Sequence, residues 1–294
     1  MELKEVCGIK MGGEPGECPT LMIGSIFFDG HGIVKDSGKG DFDAVSASAL
    51  IKEQGEWSLI TGLPACIDIV ASTTEAMEKY VEFVVGEFDG PVMIDGSDAD
   101  VKIAGVKLMA KKGVAHRIIY NSISPETVQK ELDAIKECGV KTAITLLVDS
   151  NDFTGAKKID LMNSNNGPVA FATEHGIENI FIDPGVIDLP SVATAREIYG
   201  KANELGYYCG AGIHNAIGTW GGLQSKIGNS FKPAAIAVLN ALSTAWNGDF
   251  VLYGPIGDAR IVFPAVAMVD AVLAQGLLDK GKLPNMEHPL FKIA

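Results

Sequence analysis

Eight short, nearly unbroken apolar runs recur along the chain, and most are followed by a stretch of helical periodicity. They are TLMIGSIF (20–27), ACIDIV (65–70), PVMID (91–95), HRIIYN (116–121), TAITLLVD (142–149), NIFID (179–183), YYCGAG (207–212) and DFVLYG (249–254). A strand that is apolar on both faces must be covered on both, the condition of a parallel sheet wrapped by helices. The intervening stretches supply those helices. STTEAMEKYVEFVV sets Ser72 three residues before Glu75 as a capping box. ISPETVQKELDAIKECG opens on Ser124-Pro125 and stops at Gly139. LPSVATAREIYGKANELG, KPAAIAVLNALSTAW and IVFPAVAMVDAVLAQGLLD complete the helical set. Eight strand–helix units predict an α/β fold, a (β/α)8 TIM barrel, over a doubly wound open sheet, which usually needs fewer strands. No linker divides the 294 residues, so 1–294 read as a single domain. The preface KEVCGIKMGGEPGECPTL reads as an added hairpin turning at GGEPGE and closing the barrel bottom.

Charge and cysteine usage narrow the function classes. A net charge of −13 argues against nucleic acid, which calls for clustered Lys and Arg. No apolar stretch reaches the roughly 18–20 charge-free residues of a membrane span. The start, MELKEVCGIKMGG, lacks the apolar core of a signal peptide. Cys7, Cys18, Cys66, Cys138 and Cys209 are scattered and odd in number, as expected of reduced thiols in a cytoplasmic protein.

In a barrel, reactive groups come from the C-terminal ends of the strands and the loops after them. That rule selects Asp29 and His31 after the first run, then Asp68, Asp95, Asn121, Asp149 and Asp183, and His214 with Asn215 after the seventh. No lysine ends a strand, which disfavours a Schiff-base aldolase. The five histidines are widely spaced without HxH, HExxH or a Cys-rich ligand set, so no metal site is expected. Ionised Asp only accepts hydrogen bonds, whereas Asn donates and accepts. Two Asp and two Asn (Asp95, Asn121, Asp183, Asn215) therefore complement a neutral heterocycle with N–H and C=O groups on one edge, such as a pterin.

Three short stretches come close to known motifs. FFDGHGIV (27–34) nearly spells the Asp-x-His-x-x-Gly signature of corrinoid-binding domains, but Val34 stands where a glycine is needed, and Ser48-Ala49-Leu50 follows too soon to serve as the next motif. GAGIHN (210–215) begins like a dinucleotide fingerprint and ends on Asn215; Gly210 and Gly212 read instead as allowing close approach of backbone to a ligand. YGPIGD (253–258) resembles a phosphate-cradling loop without an accompanying lysine or serine.

Five blocks taken together carry a more specific signal: GSIFFDGHGIVKD…KGDFD, IDGSDADVKIAG, YNSIS, GAGIHNAIGTW and DFVLYGPI…IVFPAVAMVD. In this order, from about residue 5 to about residue 275, they resemble the family of the H subunit of tetrahydromethanopterin S-methyltransferase, and above all its soluble bacterial members. The resemblance implies a pterin-binding TIM barrel, with the pterin held at Asp95, Asn121, Asp183 and Asn215. It implies transfer of a methyl group from a methylated corrinoid (methylcobalamin or a relative, on a partner corrinoid protein) to N5 of tetrahydrofolate. Asn215 is then the residue nearest N5, and Asp29, His31, His214 and Gly212 are mouth or corrinoid-side residues. Related folate barrels pair through helices, so a homodimer is expected. Tetrahydromethanopterin in a larger complex is the alternative acceptor, and a scaffold that only docks a corrinoid protein is the non-enzymatic one. The dihydropteroate synthases, similar in fold, use a lysine after the seventh strand that this chain lacks.

Overall fold

A computed structural model describes residues 2–294. Eight parallel strands follow in chain order: β1 Leu21–Ile26, β2 Ala65–Ala71, β3 Val92–Gly96, β4 Ile118–Ile123, β5 Thr142–Leu146, β6 Asn179–Asp183, β7 Tyr208–Ala211 and β8 Phe250–Pro255. Each pairs with the next, and β8 pairs with β1, closing the barrel. The helices that cover it are α1 Ala44–Thr61, α2 Thr74–Glu87, α3 Ala99–Lys111, α4 Gln129–Glu137, α5 Gly155–Asn163, α6 Pro168–Glu174, α7 Ser191–Glu204, α8 Asn215–Gly218, α9 Lys232–Ala245, α10 Ala259–Leu278 and α11 Pro289–Lys292. The expected (β/α)8 barrel is the observed fold, with doubled helices after β5 and β7.

Alternation along the strands splits the core into two layers. Outward side chains such as Ile67, Ile94, Tyr120 and Val251 pack against the helices. Inward side chains fill the barrel: Ile23, Cys66, Met93, Ile119, Ile144, Phe181, Tyr208 and Phe250, one from each strand, form a separate apolar cluster. Val6 and Met11 belong to that cluster and seal it from below. They sit on the N-terminal hairpin, in which Lys4–Val6 pairs with Ile9–Met11. The hairpin closes the barrel bottom as expected, but its turn is Cys7-Gly8, not GGEPGE. Both turn residues have positive φ, 49° and 82°, the requirement of a tight two-residue hairpin.

Two helix starts also differ from expectation. Thr73, not Ser72, caps α2, accepting the Ala76 N–H at 3.1 Å, while the Ser72 hydroxyl donates to the Ser37 carbonyl. α4 begins at Gln129, not at Pro125. Thr127 Oγ1 accepts the Ser124 N–H and holds residues 124–127 in a turn, and the Glu131 carboxylate accepts the Val128 N–H. The loop after β1 carries a small ribbon, Val34–Asp36 paired with Asp41–Phe42.

The 256–278 segment containing α10 is long and apolar enough, by length and composition, to cross a membrane, with a mean hydropathy of 2.0. Within α10 the one acidic residue, Asp270, is buried. Asp270 accepts the Thr20 N–H at 2.8 Å and the Thr20 hydroxyl at 3.1 Å, which ties α10 to the start of β1.

Candidate active site

The strand phase that fills the barrel floor also builds its mouth. Two residues beyond inward Ile23, Cys66, Met93, Ile119 and Phe181 stand Ser25, Asp68, Asp95, Asn121 and Asp183, which therefore point inward one layer higher. All five line one cavity of 490 Å³ at the C-terminal end, together with Gly212, His214 and Asn215 from the β7 loop. That volume lies within the usual range for a small-molecule site. The four residues selected from the strand ends thus converge. Asp149 does not join them: β5 ends at Leu146, and Asp149 lies in the following loop, where it accepts the Asn151 N–H and pairs with Lys157 at 3.2 Å.

Each polar group is held. Asn121 Nδ2 donates to Asp95 Oδ2 at 3.2 Å across adjacent strands. The two Asp183 oxygens accept the backbone N–H groups of Gly185 at 2.7 Å and Gly212 at 3.3 Å. Asn215 Nδ2 donates to the Val186 carbonyl at 3.1 Å, which fixes the amide plane. His214 Nδ1 lies 3.0 Å from the Leu252 carbonyl, and its ring occupies space beside Gly254, where a Cβ would come within 2.8 Å of it. The strand-end glycines have different jobs. A Cβ on Gly210 would come within 2.2 Å of the Phe250 carbonyl, so this glycine admits the neighbouring strand rather than a ligand. Gly212 is the one that faces the cavity.

Burial sets the charges. It pushes Asp183 up to about 6, against the Gly185 and Gly212 N–H groups and the charge of Lys158. It likewise raises Asp95 to about 6, with the Lys102 ammonium opposing. Asp68 is pushed well above the carboxylate range by burial and by the charge of Asp95, with a Ser25 hydrogen bond of 2.7 Å opposing. Its Oδ1 is buried without a hydrogen-bond partner among the described residues. Burial lowers the pKa of both His31 and His214, so each is a neutral imidazole at neutral pH.

Asp29 and His31 lie outside the central cavity. The His31 ring stacks on Phe28 at 4.5 Å, and its Nδ1 accepts the Phe27 N–H at 3.1 Å. Phe28, not His31, lines the cavity, and Asp29 is exposed and faces a smaller neighbouring one. This stretch continues into the 34–42 ribbon, and its histidine braces the rim.

The sequence places Asp68 at a strand end without singling it out as ligand-facing. Its phase relative to Cys66 is the signal that would have done so. Lys158 lies outside the strand-end rule altogether. It reaches from α5, is 2% exposed, and donates to the carbonyls of Leu147 (3.1 Å) and Pro184, clamping the loops after β5 and β6 behind Asp183. Among the described residues, no group of three or more His, Cys, Asp or Glu side chains is arranged to hold a metal ion.

The chain is similar over nearly its full length to known proteins. A family model described as tetrahydromethanopterin S-methyltransferase MtrH subunit matches residues 1–282. The H subunit of tetrahydromethanopterin S-methyltransferase from Methanothermobacter thermautotrophicus is 36% identical, covering 98% of this chain and 96% of the relative. Its counterpart in Methanococcus maripaludis is 34% identical, with the same coverage. Among solved structures, dihydropteroate synthase from Xanthomonas albilineans in complex with 7,8-dihydropteroate superposes with a TM-score of 0.63 at 15% identity, covering 91% of this chain and 97% of that one. That likeness is one of fold. The sequence match is one of descent: the chain belongs to the MtrH family, that of the H subunit of tetrahydromethanopterin S-methyltransferase.

Proposed function

We propose that the central cavity binds a reduced pterin and that the chain transfers a methyl group between a corrinoid on a partner protein and the pterin N5. The observation that carries this reading is the convergence of Asp95, Asn121, Asp183 and Asn215 in one cavity, the first two hydrogen-bonded to each other and the last two to loop backbone. The names of the relatives favour tetrahydromethanopterin as the pterin. Tetrahydrofolate, the sequence's first choice, shares the reactive ring, and the cavity residues address that ring, so it is the second candidate.

Asp95 and Asp183 accept ring and amino N–H groups, and Asn121 pairs with an acceptor–donor edge. Asn215 lies nearest N5. Its Nδ2 is committed to Val186, so Oδ1 accepts the N5–H hydrogen bond and strengthens it as N5 becomes a cationic methylamine. A carboxylate there would instead favour protonation of N5 and block its lone pair. The corrinoid, when docked, supplies the carbon–cobalt bond that breaks, while the chain supplies alignment of N5 with the methyl carbon. Asp29 and His31 on the rim and His214 in the wall are the groups placed to meet the partner.

The test is an anaerobic assay with methylcobalamin and either pterin, reading cob(I)alamin and the N5-methylated product. Turnover with tetrahydromethanopterin supports the reading, and turnover with tetrahydrofolate alone moves the specificity to the second candidate. Asn215→Ala should lower turnover on the order of 10²-fold with pterin affinity largely kept. Calorimetry that finds neither pterin bound, or no effect of Asp95→Ala and Asn121→Ala on affinity, sinks the pterin reading.

We also propose a homodimer. On α9 and α10, Val238, Met268 and Val272 are exposed, and from Ile261 to Leu278 the single charged residue is buried Asp270. The two helices pack side by side, and beyond Lys232 and Arg260 in their first turns their outer faces carry no charge.

A further inference from the structure

Lys158 is a buried ammonium that stands outside the central cavity. Among the described residues no carboxylate pairs with it directly, and its partners are two backbone carbonyls. Buried lysines are rare without a paired charge, because desolvation opposes the ammonium. Burial accordingly lowers the Lys158 pKa, and the charge of Asp183 opposes that shift. The reverse holds at Asp183, where burial raises the pKa and the Lys158 charge works against it.

One peptide group stands between the two charges. The Pro184 carbonyl accepts a hydrogen bond from the Lys158 ammonium, and the N–H of the same peptide, that of Gly185, donates to Asp183 Oδ1 at 2.7 Å. In a trans peptide the C=O and N–H point opposite ways, so the ammonium lies behind this group and the carboxylate before it. Hydrogen bonds in series polarise one another, and the ammonium makes the Gly185 N–H a stronger donor to the carboxylate. Lys158 holds the neighbouring strand end as well. It donates to the Leu147 carbonyl at 3.1 Å, and the Leu147 N–H donates to the Asp183 carbonyl at 2.9 Å. Gly185 makes the turn with a φ of 70°, and a Cβ there would come within 2.1 Å of Val148 Cγ2. The other acidic groups on the elements around Lys158 are engaged elsewhere or exposed. Asp149 pairs with Lys157, Asp188 accepts the Ser191 N–H at 2.9 Å, and Asp160 on α5, Glu174 on α6 and Glu197 on α7 are exposed. From the β7 loop, Asp183 meets the Gly212 N–H and a neutral His214.

We propose that Lys158 is a positioning residue for Asp183: through the Pro184–Gly185 peptide, its ammonium keeps that carboxylate charged and aimed into the central cavity. The consequence for binding rests on the pterin reading, since a charged Asp183 is what accepts the ligand N–H groups. The coupling itself belongs to the chain without ligand.

Carbon-13 NMR of the Asp183 carboxyl, assigned by its loss in Asp183→Asn, reads the coupling directly. In the wild-type chain the carboxyl should titrate with a midpoint at about 6. Lys158→Met and Lys158→Gln, which remove the charge, should raise that midpoint by about one pH unit, and Lys158→Arg should bring it back toward the wild-type value. Calorimetry with the pterin that the wild-type chain binds should follow the same order. The neutral variants should bind about fivefold more weakly at pH 6 and nearly equally at pH 8. A merely structural brace would weaken binding alike at both pH values with the midpoint unmoved, and that result overturns the proposal. Should the neutral variants fail to fold, the wild-type chain decides. Its Lys158 Nζ resonance should shift with an inflection near the Asp183 midpoint that Asp183→Asn abolishes, and a flat profile overturns the coupling. If the wild-type chain binds neither pterin, the pterin reading fails, and the carboxyl midpoints alone decide on Lys158.

Discussion

Asp95 and Asp183 enter the working pH range because burial, not a neighbouring base, has raised them to about 6. A ligand that donates N–H groups binds their ionised forms. Pterin affinity should therefore rise between pH 5 and pH 7, by up to tenfold per unit below pH 6 for each carboxyl that must ionise. Calorimetry across that range checks it, and Asp95→Asn should flatten its share of the slope. The same shift has the opposite sign for stability. Each carboxyl holds a proton in the folded chain at a pH where the unfolded chain has lost it, so its stabilising contribution falls as pH rises from about 4 to about 6. At this scale, the site was partly legible in the sequence. Asp95, Asn121, Asp183 and Asn215 end strands or begin the next loop, and the barrel rule finds such residues. Asp68 was within reach through its two-residue offset from Cys66. Lys158 was not, because it lies on α5 away from every strand end, and its partners, the Leu147 and Pro184 carbonyls, come together only in three dimensions.

Helices α3 and α4 are joined to β4 by a buried cluster. Lys102 on α3 pairs with Glu131 on α4 at 2.6 Å, the Tyr120 hydroxyl of β4 donates to the same carboxylate, and the Lys102 ammonium lies 5.1 Å from the Tyr120 ring centroid. Burial pushes Glu131 up, but the Lys102 and Tyr120 hydrogen bonds outweigh it and hold the group below its usual value. Glu131→Ala strands the ammonium in a largely buried position and should cost about 3–5 kcal/mol, read from the shift in urea midpoint. Lys102 also donates to the Ser122 carbonyl at 3.4 Å, so the loss should loosen the end of β4 that carries Asn121. Element boundaries were the least legible part of the chain. Ser72-Thr73 offers two capping hydroxyls in a row, and Ser37, thirty-five residues away, engages the first of them. Likewise Ser124-Pro125 carries a start signal, but Thr127 closes the local turn first. Local motifs name candidates, and distant partners choose among them.

For the molecule as a whole, the repeating apolar runs were enough to give the barrel, because strands covered on both sides leave few other architectures. The association state is less constrained by pattern, since an uncharged helix face reads the same whether it meets its own barrel or another copy. Val272→Glu or Val238→Glu places a charge on that face without touching the core. Sedimentation should find the wild-type chain dimeric and either variant monomeric, with the pterin affinity of the barrel retained. An unchanged sedimentation coefficient in both variants would leave the face to some other purpose.

The seal under the barrel imposes an order in time. Val6 and Met11 rest on a floor to which all eight strands contribute, the last being Phe250 and Leu252 near the far end of the chain. The hairpin leaves the ribosome before the barrel strands and thus has no seat until more than two hundred further residues have followed it. During synthesis the hairpin waits in solvent, and its docking marks the moment when the barrel closes.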